Sequence, residues 1–206
     1  MMESTAKGII FDLDGTIWNS MPYRIKAWEM AFRDYGIESD PEVIRLMIGY
    51  PGSMLIKKMN ARDPNIEMAE EKYFSGMFSE VKFFPDVMDT FKELRNLGFK
   101  ISIVTSSRRA MAERLDIQVD AIITMDDVAN GKPDPEGYMK AMAVMGTSPE
   151  NTVVVGDIDN DLIPAKTLGS VAVLVTHGIK KESKNMDYEI QNIGDLIGLL
   201  KKIKMT

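Results

Sequence analysis

Short runs of β-branched and aliphatic residues recur along the chain, each closed by polar or glycine positions. They are Gly8-Ile9-Ile10-Phe11, Lys100-Ile101-Ser102-Ile103-Val104, the weaker Val119-Asp120-Ala121-Ile122-Ile123, Thr152-Val153-Val154-Val155 and Val171-Ala172-Val173-Leu174-Val175. Such runs suit strands buried on both faces of a parallel sheet. Helical spacing fills the intervals. Asp86 is placed to cap a helix that Gly98 ends, with Val87, Phe91, Leu94 and Leu97 on one face. Asp134 to Met145 reads as a helix stopped by Gly146, and Asp161 to Leu168 as one stopped by Gly169. The latter places Pro164 in a first turn, where its missing N–H is tolerated. A last helix is expected over about 192–203. The alternation predicts an α/β fold with a doubly wound parallel sheet.

One segment departs from this alternation. Between Ile17 and Val81 the pattern is helical throughout. Ser20 is placed to cap a helix through Tyr35 that buries Ile25, Trp28 and Phe32 and stops at Gly36. Pro41 to Met47, Ser53 to Asn60 and Ile66 to Phe78 add further helices. Roughly 60 residues is too long for an ordinary crossover. The expected division is therefore an α/β core over 1–16 and 82–206, with a small all-α cap over 17–81 inserted after the first strand.

Composition narrows the chemistry. The 206 residues include no Cys and one His, His177. That excludes disulfides, thiolate metal sites and a multi-histidine site within one chain. One imidazole base at most is left, so catalysis is expected to run on carboxylates, hydroxyls, Lys and a hard, oxygen-loving metal. The net charge is −6 and the basic residues are dispersed, which argues against nucleic-acid binding. The densest cluster, Lys201-Lys202-Ile203-Lys204, reads as a solvated helix end. No apolar stretch nears the roughly 20 residues of a membrane span. Glu3 and Lys7 lead directly into the first strand, so no secretory signal and a cytoplasmic protein are expected. The 17 methionines are expected to pack the core and cap.

The strand ends carry the candidate chemistry. Asp12-Leu13-Asp14-Gly15-Thr16 follows the first strand, and ligands of open parallel sheets bind beyond the carboxyl ends of strands. Two carboxylates around one glycine turn are costly unless something between them compensates, and a divalent cation or phosphoryl group would serve. The alternative, an acidic helix cap, is weak, because this motif should arise by chance in only about one in several hundred chains. Thr105-Ser106-Ser107 ends the second strand. Its hydroxyls can bind phosphate oxygens or cap the following helix. Gly131-Lys132-Pro133-Asp134-Pro135 would hold Lys132 in a stiff loop. Gly156-Asp157-Ile158-Asp159-Asn160-Asp161 ends the fourth strand. Its acid density resembles an EF-hand loop, but the sixth position is Leu162 and the twelfth Leu168. Asp12, Asp14 and Asp157 instead suggest an octahedral oxygen site for Mg²⁺.

In these four ordered motifs the chain resembles the haloacid dehalogenase superfamily on its phosphatase side, in the phosphoglycolate phosphatase-like and β-phosphoglucomutase-like branch with a helical cap. Gly49-Tyr50-Pro51 resembles the substrate-facing cap loop of the phosphoglycolate phosphatase-like members. The resemblance implies that Asp12 attacks phosphorus to form an aspartyl-phosphate, and that Asp14 acts as general acid and then base. Mg²⁺ would be held by the Asp12 carboxylate, the Asp14 backbone carbonyl and Asp157, with Asp161 in support. Lys132, Thr105 and Ser106 would bind the phosphoryl group, and Gly49 and Tyr50 would face substrate. Asn19, Ile158 and Pro164 depart from the usual Asp, Ser and Ala of relatives. The implied partner is a small phosphate ester, acted on by a monomer or homodimer. A β-phosphoglucomutase-like activity is the runner-up, though the cap has no His and Gly49-Tyr50-Pro51-Gly52-Ser53 no Arg. A receiver-type signalling module is shorter and has its acidic pair adjacent. A non-catalytic relative would not keep every one of these residues. His177, after the fifth strand, is expected to be a loop residue or minor substrate contact.

Overall fold

The computed structural model describes residues 7–203, so Glu3 and Lys204 lie outside the described residues. Two compact units divide the chain. One runs up to Ile17 and resumes at Phe83, and the other spans Trp18–Lys82.

The first unit is built on a parallel sheet. Its strands are β1 (Lys7–Phe11), β2 (Phe99–Val104), β3 (Ala121–Ile123), β4 (Thr152–Gly156), β5 (Val171–Val175) and β6 (Tyr188–Ile190), in the spatial order β3-β2-β1-β4-β5-β6. β1 lies at the centre, with Ile9 in register with Ile101 on one side and Val153 on the other. Burial on both faces explains its unbroken apolar run, and Ile9, Ile10 and Phe11 are fully buried. A short helix, α6 (Arg109–Ala112), follows β2, and on one face Ile10, Val104 and Val154 pack with Tyr138 and Met142 of α7 (Glu136–Met145) and Leu162 of α8 (Asp159–Leu168). On the other, Phe11 meets Phe91 of α5 (Val87–Asn96), with ring centroids 4.8 Å apart. The chain winds one way from β1 through β2 to β3 and the other way from β4 to β6. The crevice between the ends of β1 and β4 is therefore the switch point where ligands of such sheets bind.

The five expected strands are present, and β6 is an addition. Tyr188-Glu189-Ile190 is short and half polar, as befits an edge, and gives no hydrophobic run to find. Leu97 does not join the buried face of α5. It follows the last helical residue, where the chain turns into Gly98 at φ +84°, and is 53% exposed. Pro164 is not in a first turn, because α8 starts two residues earlier than its pattern predicts and Pro164 is the sixth helical residue. The final helix, α9, covers only Asp195–Leu200. Asp195 Oδ2 accepts hydrogen bonds from the Gln191 and Asn192 N–H groups, which holds those residues in a turn ahead of it. Asp86 reaches past its own helix and accepts from the Gly194 N–H at 2.6 Å, tying the start of α5 to the start of α9. Met142 and Met145 fill the core as expected, but Met54, Met68, Met88 and Met139 are exposed.

The second unit is helical: α1 (Met21–Asp34), α2 (Pro41–Met47), α3 (Gly52–Lys58) and α4 (Asn65–Met77). Trp28, Phe32, Ile44, Leu55, Ile56 and Ile66 form its core. Ser20 stands before α1, but its hydroxyl donates to the Trp18 carbonyl rather than capping the helix. Arg24 and Glu70 make a buried ion pair of 3.1 Å, with the guanidinium 3.7 Å above the Phe74 ring. Among the described residues no helix is long and apolar enough to cross a membrane.

His177 follows β5 in a left-handed conformation, at φ +49°. Its ring stacks on Phe84 at 3.5 Å, and its Nε2 donates to the Thr16 carbonyl at 2.8 Å. The Phe84 N–H in turn donates to the Ile17 carbonyl at 3.0 Å. One ring thus braces both segments that enter and leave the α/β unit. His177→Ala should cost about 1–2 kcal/mol through the lost stack and hydrogen bond. His177→Phe, which keeps the stack, should recover about half. Urea denaturation of the three proteins checks this, and equal midpoints would refute the bracing role.

Candidate active site

The site is assembled at the β1/β4 switch point from segments far apart in sequence. β1 ends at Phe11 and delivers Asp12; β4 ends at Gly156 and delivers Asp157; the first turn of α8 supplies Asp161. Asp161 lies so close under the strand end that a Cβ at position 156 would sit 2.2 Å from its own Cβ, so only glycine fits. The 131–135 loop brings in Lys132, whose ammonium donates to Asp12 Oδ1 at 2.5 Å and to Asp161 Oδ1 at 2.7 Å. All four side chains are at least nine-tenths buried. Tyr138, on α7, donates to Asp161 Oδ1 at 3.3 Å and lies under the lysine, 5.7 Å from the ammonium to the ring centroid.

The charges are tightly interdependent. Burial pushes the Asp12 carboxyl well up, and nearby Asp161 adds to this while Lys132 opposes it. Burial alone would pull Lys132 down, but Asp12 and Asp161 outweigh it and hold the ammonium well above its usual range. Asp157 is raised by burial, against the pull of Lys181. Three carboxylates are thus crowded around too little positive charge.

The oxygens of Asp12, Asp157 and Asp161 lie within 4.8 Å of one another, close enough to share one metal ion. Asp161 Oδ2 is buried without a hydrogen-bond partner, an acceptor left over after Lys132 and Tyr138 have taken Oδ1. An all-carboxylate set with an unsatisfied oxygen suits a hard divalent cation. Asp14 stands apart from this trio. It is half-buried and accepts from the Ser107 hydroxyl at 2.9 Å.

The remaining expected residues are placed as follows. Thr105 is buried at the end of β2, where its N–H donates to the Ile123 carbonyl and its hydroxyl accepts from the Ser107 N–H at 3.0 Å. Ser106 is half-buried beside it. Gly49 and Tyr50 lie in the helical unit between α2 and α3, with the Tyr50 N–H on the Met47 carbonyl. The structure adds four side chains to the site. Ser107 holds Asp14, Thr16 donates to Asp157 Oδ1 at 3.2 Å, Tyr138 holds Asp161, and Lys181 donates to Asp157 Oδ2 at 2.7 Å. Ser107 and Thr16 sit inside motifs already marked out by the sequence. Tyr138 resembles any core aromatic of an amphipathic helix, and Lys181 any lysine of a polar loop.

Residues 9–175 match the family model described as haloacid dehalogenase-like hydrolase. The chain is 28% identical to a phosphoglycolate phosphatase of Aquifex aeolicus, over 93% of this chain and 95% of that one. It is 31% identical to the pyrophosphatase PpaX of Anoxybacillus flavithermus, over the same shares. In fold it is similar to a hydrolase from Pseudomonas syringae, with TM-score 0.85 at 23% identity over 96% of this chain and 99% of that one. With the motif order, the sheet and the family match in agreement, the chain belongs to the haloacid dehalogenase-like hydrolases.

Proposed function

We propose that the protein is a Mg²⁺-dependent phosphatase that hydrolyses a small phosphate monoester through an aspartyl-phosphate on Asp12. The observation that carries this reading is the buried Lys132 ammonium bound to both Asp12 and Asp161, beside Asp157, at the switch point of the sheet. Phosphoryl transfer depends mainly on positioning and electrostatic stabilisation, which such a constellation supplies. Asp12 attacks phosphorus, and Lys132 screens the negative charge of the approaching group. Asp14, which accepts from the Ser107 hydroxyl, donates a proton to the leaving oxygen and then takes one from the attacking water. Thr105 and Ser106 are the proposed phosphate donors. Asp12, Asp157 and the Asp14 carbonyl are the proposed Mg²⁺ ligands, with Asp161 supporting them. The metal, when bound, neutralises phosphate charge. The helical unit is read as a cap over substrate, with Gly49 and Tyr50 facing it.

The names of the relatives suggest two substrates to try first, phosphoglycolate and inorganic pyrophosphate. Purified protein, assayed on these, on p-nitrophenyl phosphate and on a sugar-phosphate panel, should release phosphate with Mg²⁺ and stop with EDTA. Absence of any metal-dependent release sinks the phosphatase reading. Isomerisation of a sugar phosphate without release would indicate the mutase, and a long-lived phosphoprotein without turnover a signalling module. Asp12→Asn should lower kcat at least a thousandfold, having lost the nucleophile. Asp14→Asn should lower it about 10²–10⁴-fold, and His177→Ala should keep substantial turnover.

Lys132→Met should lower kcat about 10²–10³-fold. It should also destabilise the metal-free chain by about 3 kcal/mol, because two buried carboxylates lose their counter-ion. Urea denaturation in EDTA checks the second effect. Wild-type stability there would mean that the pair contributes nothing net.

A further inference from the structure

The segment between β5 and β6 is irregular over residues 176–187, yet it is held against the site at three points. His177 donates to the Thr16 carbonyl, Lys181 to Asp157 Oδ2, and the Ser183 hydroxyl to Asp159 Oδ1. The middle contact is the unusual one. Asp157 already accepts from Thr16 on Oδ1, so with Lys181 on Oδ2 both of its oxygens are engaged by protein donors. A divalent cation held by Asp12 and Asp157 would compete with a positive group for the Asp157 carboxylate.

The two lysines of the site differ in how freely they can move. Lys132 is shared between Asp12 and Asp161 and its side chain is only 5% exposed. Lys181 makes one ion pair, its side chain is 22% exposed, and it stands on irregular chain next to exposed Lys180. Its flexible four-carbon stem can carry the ammonium into water without disturbing the backbone. The anchors at His177 and Ser183 flank it and would keep the segment in place while the side chain leaves.

We propose that Lys181 is a built-in competitor for the divalent cation: its ammonium neutralises Asp157 in the metal-free protein and is displaced into solvent when the cation binds. Lys181 therefore acts through Asp157, weakening metal affinity while protecting the fold when the metal is lost. This inference rests on the reading of Asp12 and Asp157 as metal ligands. The opposite role is equally concrete, since a lysine that merely orients Asp157 would strengthen binding, as outer partners of metal ligands ordinarily do.

Calorimetric titration of the full chain with Mg²⁺ separates the two. Wild type is compared with Lys181→Met, Lys181→Gln, Lys181→Arg and Asp157→Asn. Competition predicts that Lys181→Met and Lys181→Gln bind Mg²⁺ about tenfold more tightly than wild type, within the range by which outer-shell changes shift metal affinity. Lys181→Arg should stay near wild type, and Asp157→Asn should lose binding. In EDTA the Met and Gln variants should melt below wild type, and saturating Mg²⁺ should close the gap. The Gln variant, polar at a partly exposed position, keeps the test open should Met fold poorly. Unchanged or weaker affinity in both Met and Gln variants, with wild type binding and Asp157→Asn not, overturns the Lys181 inference alone. Wild-type affinity in Asp157→Asn, or no binding by any of the proteins, overturns the metal-site reading and this inference with it.

Discussion

An ammonium group taken out of water is stable only where carboxylates replace its hydration, and a buried carboxylate has the converse need. Lys132 meets both needs at once, lying between Asp12 and Asp161 with 5% of its side chain exposed. Those three residues come from the end of the central strand, a loop more than a hundred residues later, and the first turn of α8. The pairing is therefore satisfied only when the whole α/β unit is in register. It is also incomplete, because Asp157 adds a third carboxylate and Asp161 keeps a buried oxygen without a partner. Lys181, from the 176–187 segment, balances Asp157 and leaves the Asp161 oxygen unmatched.

The sheet supplies the geometry that makes such crowding possible. β1 is flanked on both sides by parallel neighbours, so its end and that of β4 are fixed side by side. The Asp12 N–H donates to the Val155 carbonyl, which continues the ladder to the residue that carries the carboxylate. Gly156 lets Asp161 approach the strand end where any larger residue would collide with it. Position in the site is thus set by backbone hydrogen bonds and close packing. The electrostatic strain is concentrated in a few side chains held on a rigid frame.

Much of this is legible in the sequence, for physical reasons that differ by residue. Buried parallel strands must be apolar on both faces, so β1, β2, β4 and β5 announce themselves, whereas the edge strand β6 alternates with polar residues and does not. Helix starts are harder to read than helix stops. Gly146 and Gly169 end their helices at positive φ, a conformation that favours glycine. By contrast Asp86 looks like a cap, but it spends its carboxylate on Gly194, a contact made only in the folded unit. The same holds at the site. Asp12, Asp14, Lys132 and Asp157 stand in motifs. Tyr138 and Lys181 become part of the site only through tertiary placement, and nothing local separates them from an ordinary core tyrosine or surface lysine.

The two aspartates of the first motif illustrate how one fold can give like groups unlike surroundings. Two residues apart, they meet different surroundings. Asp12 is buried against an ammonium and faces two other carboxylates, whereas Asp14 is half-buried on a serine hydroxyl. In the proposed mechanism Asp12, fixed by Lys132, is the nucleophile. Asp14, outside that cluster, is the proton carrier proposed for the same reaction. The proposed mechanism needs neither an imidazole nor a thiol, in a chain with one histidine and no cysteine. It also assigns His177 no chemical step. Burial pulls its ring below the ordinary range and so favours the neutral form. A neutral ring stacked on Phe84 and bonded to the Thr16 carbonyl is a brace, and that carbonyl belongs to the residue whose hydroxyl holds Asp157. The lone histidine therefore bears on the site through the backbone that positions it.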